Sequence, residues 1–110
     1  MKVTFDAFTL DSGTRQLLRR AEPIHLSPKA FDLLRLLLER RPAVVGKPEI
    51  SERVWPGTFV EDASLSVLVA QLRRALDDDP RSPAFIRTAH GRGYAFCGTA
   101  QDALPPSVRG

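Results

Sequence analysis

Arginine is the residue type that gives this chain its most specific chemistry. Thirteen of the sixteen basic residues are arginine, and thirteen acidic residues leave a net charge of +3. The planar guanidinium offers a fork of donors that matches phosphate oxygens and the edge of guanine, whereas lysine is a point charge. The bias favours a nucleic-acid partner, although a GC-rich genome would produce the same excess of arginine.

The basic side chains are unevenly placed, with a group in the last third of the chain. This group comprises Arg73, Arg74, Arg81, Arg87 and Arg92. The run of three aspartates at residues 77–79 offsets it. A cation site would need further spaced ligands near that run. Because none is nearby, we expect the aspartates to form a solvated helix end.

Motifs for catalysis are missing from the sequence. It contains no GxSxG, no HExxH and no phosphate loop ending in Gly-Lys-Ser/Thr, and Gly91-Arg92-Gly93 is not followed by a third glycine and a helix. Cys97 and His90 could pair as nucleophile and base, but both lie on one predicted hairpin with no orienting third group. We therefore expect Cys97 to be a small buried strand thiol and His25 to be a surface residue.

As Cys97 is the only cysteine, no internal disulfide can form. We expect no enzymatic activity, no cofactor and no metal.

The composition is that of one small globular domain. The chain has 110 residues, of which 43% are hydrophobic and 26% charged. No apolar run approaches the roughly 20 residues needed to span a bilayer, and the N-terminus does not resemble a secretory signal. We expect a cytoplasmic protein.

Residues 3–26 alternate apolar and polar positions in short runs, which predicts an antiparallel meander of three or four strands. Ser27 and Pro28 then give an N-cap and a first helical residue, so a core helix should run to about Arg41. The valines of residues 43–46 should fold back over the core. A shorter helix should start near Lys47 and end at Trp55, which we expect to anchor in the core.

A third helix is predicted from Ser64 to about Leu76. Its inward face repeats at helical spacing through Leu65, Val69, Leu72 and Leu76. At about 100° per residue, the remaining positions point outward or to one flank and carry no carboxylate. The outward residues are Ala63, Val67, Ala70, Gln71 and Arg74, and the flanking residues are Ser66 and Arg73.

Two alternating strands around Gly91-Arg92-Gly93 predict a β-hairpin over residues 86–96. Tyr94 and Phe96 should belong to its buried side. Residues 98–110 are typical of a linker or disordered tail, so we divide the chain into a domain at residues 1–97 and a tail at 98–110.

The element order predicts an α+β winged helix-turn-helix: an N-terminal antiparallel sheet, three helices and a C-terminal hairpin wing. Four ordered motifs closely resemble the OmpR/PhoB-type DNA-binding domain of bacterial transcription regulators, over roughly residues 3–96. They are Leu26-Ser27-Pro28-Lys29-Ala30-Phe31-Asp32-Leu33-Leu34, Val54-Trp55-Pro56, Leu72-Arg73-Arg74-Ala75-Leu76, and Ile86-Arg87-Thr88 with Gly91-Arg92-Gly93-Tyr94-Ala95-Phe96.

The resemblance implies sequence-specific binding of double-stranded promoter DNA, with the third helix in the major groove and the wing on the minor groove or phosphates. The resemblance and the outward and flanking faces of the third helix together give the candidate DNA-binding residues: Ser64, Ser66, Val67, Ala70, Gln71, Arg73, Arg74, Thr88, His90 and Arg92. Among these, Ser64, Arg73 and Thr88 would hold phosphates, and His90 with Arg92 would form the wing contact. Gln71 is the candidate for pairing with adenine, and Ala70 or Val67 for touching a thymine methyl.

The resemblance also implies partners beyond DNA. RNA polymerase would contact the loop at residues 56–62, through Thr58, Phe59, Glu61 and Asp62. Tandem head-to-tail copies would bind direct repeats. Because the resemblance begins almost at Met1, we expect no receiver domain before it and a sensory or interaction domain after the tail.

This chain departs from many family members, which carry basic residues where it has Leu68, Ala70 and His90. The reduced charge means that the DNA sequence recognised cannot be transferred from those members. The third helix is also apolar enough for a second interpretation, in which the winged helix docks onto a protein through Val67, Leu68, Ala70 and Gln71. The salt dependence of binding separates the two, because only phosphate contacts make affinity fall steeply with salt.

Overall fold

Residues 2–24 form the predicted meander, as the computed structural model of the chain shows. The model describes residues 1–102. Strands β1 (Lys2–Phe5), β2 (Phe8–Asp11), β3 (Gln16–Arg19) and β4 (Glu22–Ile24) pair antiparallel in sequence order. Alternation sends Val3, Phe5, Phe8 and Leu10 into the core.

Helix α1 (Pro28–Arg40) is the central core helix. The Ser27 hydroxyl accepts the Ala30 N–H at 3.2 Å, so the predicted N-cap is confirmed. Seven residues of α1 are buried: Ala30, Phe31, Leu33, Leu34, Leu36, Leu37 and Leu38. Such a wide apolar face lets α1 pack against both other helices and the sheet.

Strand β5 (Val45–Gly46) and helix α2 (Lys47–Val54) follow. Val45 is buried, as predicted for the connector, and Ile50 and Val54 are the buried residues of α2. Trp55 is half-buried against the core, so its predicted role as an anchor is confirmed.

Helix α3 (Asp62–Leu76) begins two residues before the predicted start at Ser64. Glu61 takes the extended N-cap conformation, and its carbonyl accepts the Ser64 N–H at 3.0 Å. Asp62 thus lies in the first turn, where a carboxylate favours the positive end of the helix dipole. The predicted inward residues Leu65, Val69, Leu72 and Leu76 are all buried.

Strands β6 (Ile86–Ala89) and β7 (Gly93–Phe96) form the predicted hairpin, and β7 also pairs with β5, so the second sheet has the order β5-β7-β6. The side chains of Phe85 and Phe96 contact the Phe5 ring of the first sheet edge-on, with ring centroids 5.3 and 5.2 Å apart. The hairpin is therefore packed directly onto the core that carries α1.

The tail predicted from residue 98 is wrong at Gln101–Asp102. These two residues form β8, which pairs antiparallel with β1 and extends the first sheet to the order β4-β3-β2-β1-β8. An ion pair between Arg41 and Asp102, at 3.2 Å, fixes β8 to the end of α1. The rest of the predicted tail, residues 103–110, lies outside the described residues.

None of the helices within residues 1–102 is long and apolar enough to cross a membrane.

Candidate nucleic-acid interface

The outward face of α3 is an exposed surface beside the hairpin. All of the predicted outward residues are exposed, and Ser64 and Ser66 are exposed beside them. Val67 is 57% exposed, which is unusual for a large aliphatic side chain. Leu68 is only 5% exposed, so the docking interpretation was wrong to count it as surface. Its burial follows from its position one turn from Leu65 and Leu72.

This face carries no carboxylate between the two ends of α3, Asp62 and Asp77. The Asp62 carboxylate itself lies 3.6 Å from the ammonium of Lys47. Arg74 is exposed on the same face. The face is therefore neutral in its first half and positive in its second, which suits the edges of bases flanked by phosphates.

Two shallow depressions flank the outward face, and Gln71 lines both. One, of about 370 Å³, lies between Trp55 and the first half of α3 and is walled by Ala63 and Val67. The other, of about 420 Å³, lies between Arg74 and the start of α1 at Ser27. Gln71 thus borders two mainly apolar depressions, and the one beside Arg74 also carries the side chains of His25 and Ser27.

Arg73 joins α3 to the hairpin. Its Nη2 donates to the Ile86 carbonyl and to Thr88 Oγ1, each at 2.9 Å. Its Nε is buried and has no hydrogen-bond partner within residues 1–102. Two of the three residues predicted to hold phosphates, Arg73 and Thr88, are thereby brought into direct contact with each other.

Asp78 departs from the predicted solvated helix end. It is 9% exposed, and its carboxylate accepts the N–H groups of Ala84, Phe85 and Ile86 at 2.7, 3.3 and 2.9 Å. A buried carboxylate is stable where backbone donors satisfy it. Asp78 therefore ties the end of α3 to the beginning of β6. Asp77 and Asp79 are exposed, as predicted.

The hairpin tip is exposed while its base is packed. His90, Gly91 and Arg92 are exposed, and the Arg92 N–H closes the turn onto the Ala89 carbonyl at 2.9 Å. Gly91 has a φ of 75°, a left-handed conformation that glycine adopts without strain. Tyr94 and Phe96 are buried, as predicted. The tip therefore presents the His90 and Arg92 side chains from a fixed base.

The loop between α2 and α3 carries the most exposed large apolar side chain among the described residues. Phe59 is 89% exposed, and Thr58 and Glu61 beside it are also exposed. Phe59 and Thr58 line a depression of about 320 Å³ shared with the start of α2. The Phe59 ring is therefore accessible to another molecule.

Cys97, His90 and His25 are the residues considered for catalysis, and all three are exposed. Cys97 is exposed, so the expected buried strand thiol is wrong: β7 ends at Phe96, and Cys97 follows it. Partial burial and the nearby Asp78 carboxylate raise the pKa of the Cys97 thiol, which opposes formation of a nucleophilic thiolate. His25 is exposed, as predicted. Within residues 1–102, no three His, Cys, Asp or Glu side chains are grouped to hold a metal ion.

Comparison with known proteins gives consistent matches. The family model "Transcriptional regulatory protein, C terminal" matches residues 21–96. The transcriptional regulatory protein KdpE of Mycobacterium tuberculosis is 37% identical over 92 residues, which cover 83% of this chain and 41% of that protein. This chain thus spans less than half the length of that curated relative.

Solved structures match as well. The DNA-binding domain of RstA from Klebsiella pneumoniae, solved in complex with the RstA box, has a TM-score of 0.77 and 26% identity, covering 87% of this chain and 96% of that one. The response regulator DrrB of Thermotoga maritima, an OmpR/PhoB homologue, has a TM-score of 0.80 and 29% identity, covering 88% of this chain and 44% of that one.

Proposed function

Because this chain belongs to the OmpR/PhoB-type family of transcriptional regulatory domains, a family of regulators rather than enzymes, we propose that it binds double-stranded DNA sequence-specifically. Helix α3 enters the major groove, and the wing tip at residues 90–92 reaches the adjacent minor groove or its phosphates. The RstA domain, a structural relative, was solved on its own DNA box.

The observation that carries the proposal is the placement of one carboxylate-free helix face beside one cationic hairpin tip. Helix α3 has 15 residues, so it is about 22 Å long and can lie across a major groove. Arg74 at one end of its outward face and Arg92 on the wing supply positive charge for the phosphates on both sides.

Within this arrangement each exposed side chain has a proposed role. Ser64 and Ser66, near the start of α3, donate hydroxyl hydrogens to phosphates. Gln71 pairs with adenine through its amide, and Val67 with Ala70 contacts thymine methyl groups. Arg74 on α3, and Thr88, His90 and Arg92 on the wing, contact the backbone or the minor groove.

The test is selection of bound sequences from a randomised duplex pool at near-physiological salt. The variant Gln71→Ala with Arg92→Ala removes two exposed side chains from the proposed interface. Gln16→Ala with Arg81→Ala removes the same residue types from exposed positions elsewhere. We expect the wild type and the second variant to enrich one short motif, and the first variant to lose it. Failure of the wild type to enrich any motif would refute the proposal.

Protein docking remains the alternative function, because Val67 and Ala70 form an apolar strip on an exposed helix. Binding to phosphates lowers log K with log salt by about 0.9 per contact, whereas an apolar interface responds weakly to salt. A wild type that binds DNA weakly and without salt dependence would favour docking.

RNA polymerase is the second partner that we propose, through the Phe59 loop. Phe59→Ala removes an exposed ring, so folding and DNA affinity should stay unchanged while polymerase recruitment falls. Recruitment is measured as polymerase retained on promoter DNA, with Arg81→Ala as the control for an exposed loop substitution. If both variants retained the same amount of polymerase on promoter DNA, the proposal that this loop contacts RNA polymerase would be refuted.

We also propose that tandem copies of this winged-helix domain bind direct repeats and that a sensory or interaction domain follows it. Linked copies gain affinity through effective concentration. Binding to one half-site and to two repeats, compared by the steepness and midpoint of the titration, tests the tandem arrangement.

A further inference from the structure

The peptide group of Ile86 is held on both sides by side chains from the end of α3. Its N–H donates to Asp78 Oδ2 at 2.9 Å, and its carbonyl accepts from Arg73 Nη2 at 2.9 Å. Ile86 begins β6, which is the edge strand of the second sheet. The side chains of Asp78 and Arg73 therefore provide hydrogen-bond partners for the Ile86 N–H and carbonyl, which face outward on this edge strand.

The hydrogen bond from Arg73 to Thr88 extends this attachment two residues toward the wing tip. A hydroxyl has one hydrogen to donate, and here its oxygen is already occupied by the guanidinium. The Thr88 hydrogen is thus directed away from Arg73. It remains free for an acceptor outside the protein, such as a phosphate oxygen.

The other strand of the hairpin is fixed independently. Strand β7 pairs with β5, and the Arg92 carbonyl accepts the Lys47 N–H at 3.2 Å. A Cβ atom on Gly93 would lie 1.9 Å from the Val45 carbonyl oxygen, which shows how closely the two backbones approach. The part of the hairpin left to adapt to a ligand is the tip at His90 and Gly91, with the side chain of Arg92.

From these contacts we propose that Arg73 is a positioning residue, which with Asp78 fixes the wing relative to α3 so that both contact DNA as one rigid unit. This rests on the proposed function. The proposal differs from the phosphate-binding role implied for Arg73, because Arg73 Nη2 already donates to the Ile86 carbonyl and to Thr88 Oγ1. Thr88 is then the phosphate ligand, and Arg73 orients it. Fixed spacing avoids the entropy cost of ordering the wing on binding.

The experiment measures how much Arg92 contributes to DNA affinity in three backgrounds: wild type, Arg73→Lys and Arg74→Lys. Both lysine substitutions keep the charge, but only Arg73 reaches into the wing. The measured quantity is the ratio of the Kd of each Arg92→Ala variant to that of its parent, on the selected motif at fixed salt. A merely structural role would lower the melting temperature of Arg73→Lys without changing this ratio.

We expect a ratio of about 10 in the wild type and in Arg74→Lys, as for one lost arginine contact, and a ratio near 1 to 3 in Arg73→Lys. The same ratio in all three backgrounds would overturn the proposal, and so would a ratio of 1 in the wild type. Should Arg73→Lys fail to fold, Thr88→Val, which replaces the hydroxyl by a methyl group, should lower the Arg92 ratio in the same way. Thr88→Ser, which keeps the hydroxyl, should leave the ratio near its wild-type value. A wild type that selects no motif would instead refute DNA binding itself.

Discussion

The Asp78 carboxylate accepts the Ile86 N–H at 2.9 Å, and this contact joins the end of the proposed recognition helix to the first residue of the wing. Two further N–H groups, of Ala84 and Phe85, donate to the same carboxylate. All three lie in the segment that turns the chain from α3 back to β6. One side chain thus determines the path of this connection.

Asp78→Ala should lower the free energy of unfolding by about 3 kcal/mol, because three donors lose their acceptor at about 1 kcal/mol or more each. Urea denaturation at pH 7 measures it. Asp79→Ala is the matched control: Asp79 is exposed, and within residues 1–102 its carboxylate accepts only the Arg81 N–H, so the loss should be below about 1 kcal/mol. Equal losses for the two variants would contradict the role of Asp78.

Gly93→Ala should destabilise the protein by about 3 kcal/mol or more, since the added methyl would meet the backbone carbonyl of Val45 at 1.9 Å. Gly91→Ala, in the same hairpin, meets no atom within 4 Å and carries only the strain of its left-handed φ, about 1 kcal/mol. Thermal unfolding of both variants gives the comparison. A Gly93→Ala protein as stable as Gly91→Ala would mean that β5 and β7 do not approach so closely.

Local signals made most of the fold predictable from the sequence. The cap at Ser27, the inward repeat of α3 and the glycines of the hairpin each act within a few residues, so the pattern alone identifies them. The outward residues of the candidate site follow from the same repeat.

Contacts between distant residues were not predictable. Arg73 and Thr88 are 15 residues apart, and Arg41 and Asp102 are 61 apart. Asp78 is one of three adjacent aspartates that look equivalent in the sequence. It differs from the other two only because the N–H groups of residues 84–86 come close enough to donate to its carboxylate. The exposure of Cys97 likewise depends on where β7 ends, which is one residue before it.

Glu39 should contribute stability that depends on pH. Burial raises the pKa of its carboxyl, but hydrogen bonds and charge from Arg53 and Arg35 outweigh this and lower the pKa below the usual 4.5. The unfolded chain therefore binds the proton more readily, and the contribution is present above about pH 4.5 and is lost as the pH falls through the lower pKa of the folded state.

Glu39→Gln should accordingly reduce the free energy of unfolding at pH 7 by less than about 1 kcal/mol, because the ion pairs are partly exposed. At pH 3 the difference from the wild type should shrink. Urea denaturation at both pH values measures it, with Glu52→Gln as an exposed control on α2. A difference that grows toward acid pH would refute the assigned direction.

The apolar first half of the α3 face should make the protein sensitive to thymine methyl groups. Val67 is 57% exposed beside the depression walled by Trp55 and Ala63, and burying one methyl is worth about 0.8 kcal/mol, or about fourfold in affinity. Replacing thymines of the selected motif one at a time by deoxyuridine removes only that methyl. At one or two positions the Kd should rise about fourfold for the wild type and for Val44→Ala, but less for Val67→Ala. An equal rise in all three proteins would show that Val67 does not read the methyl, while DNA binding itself would stand.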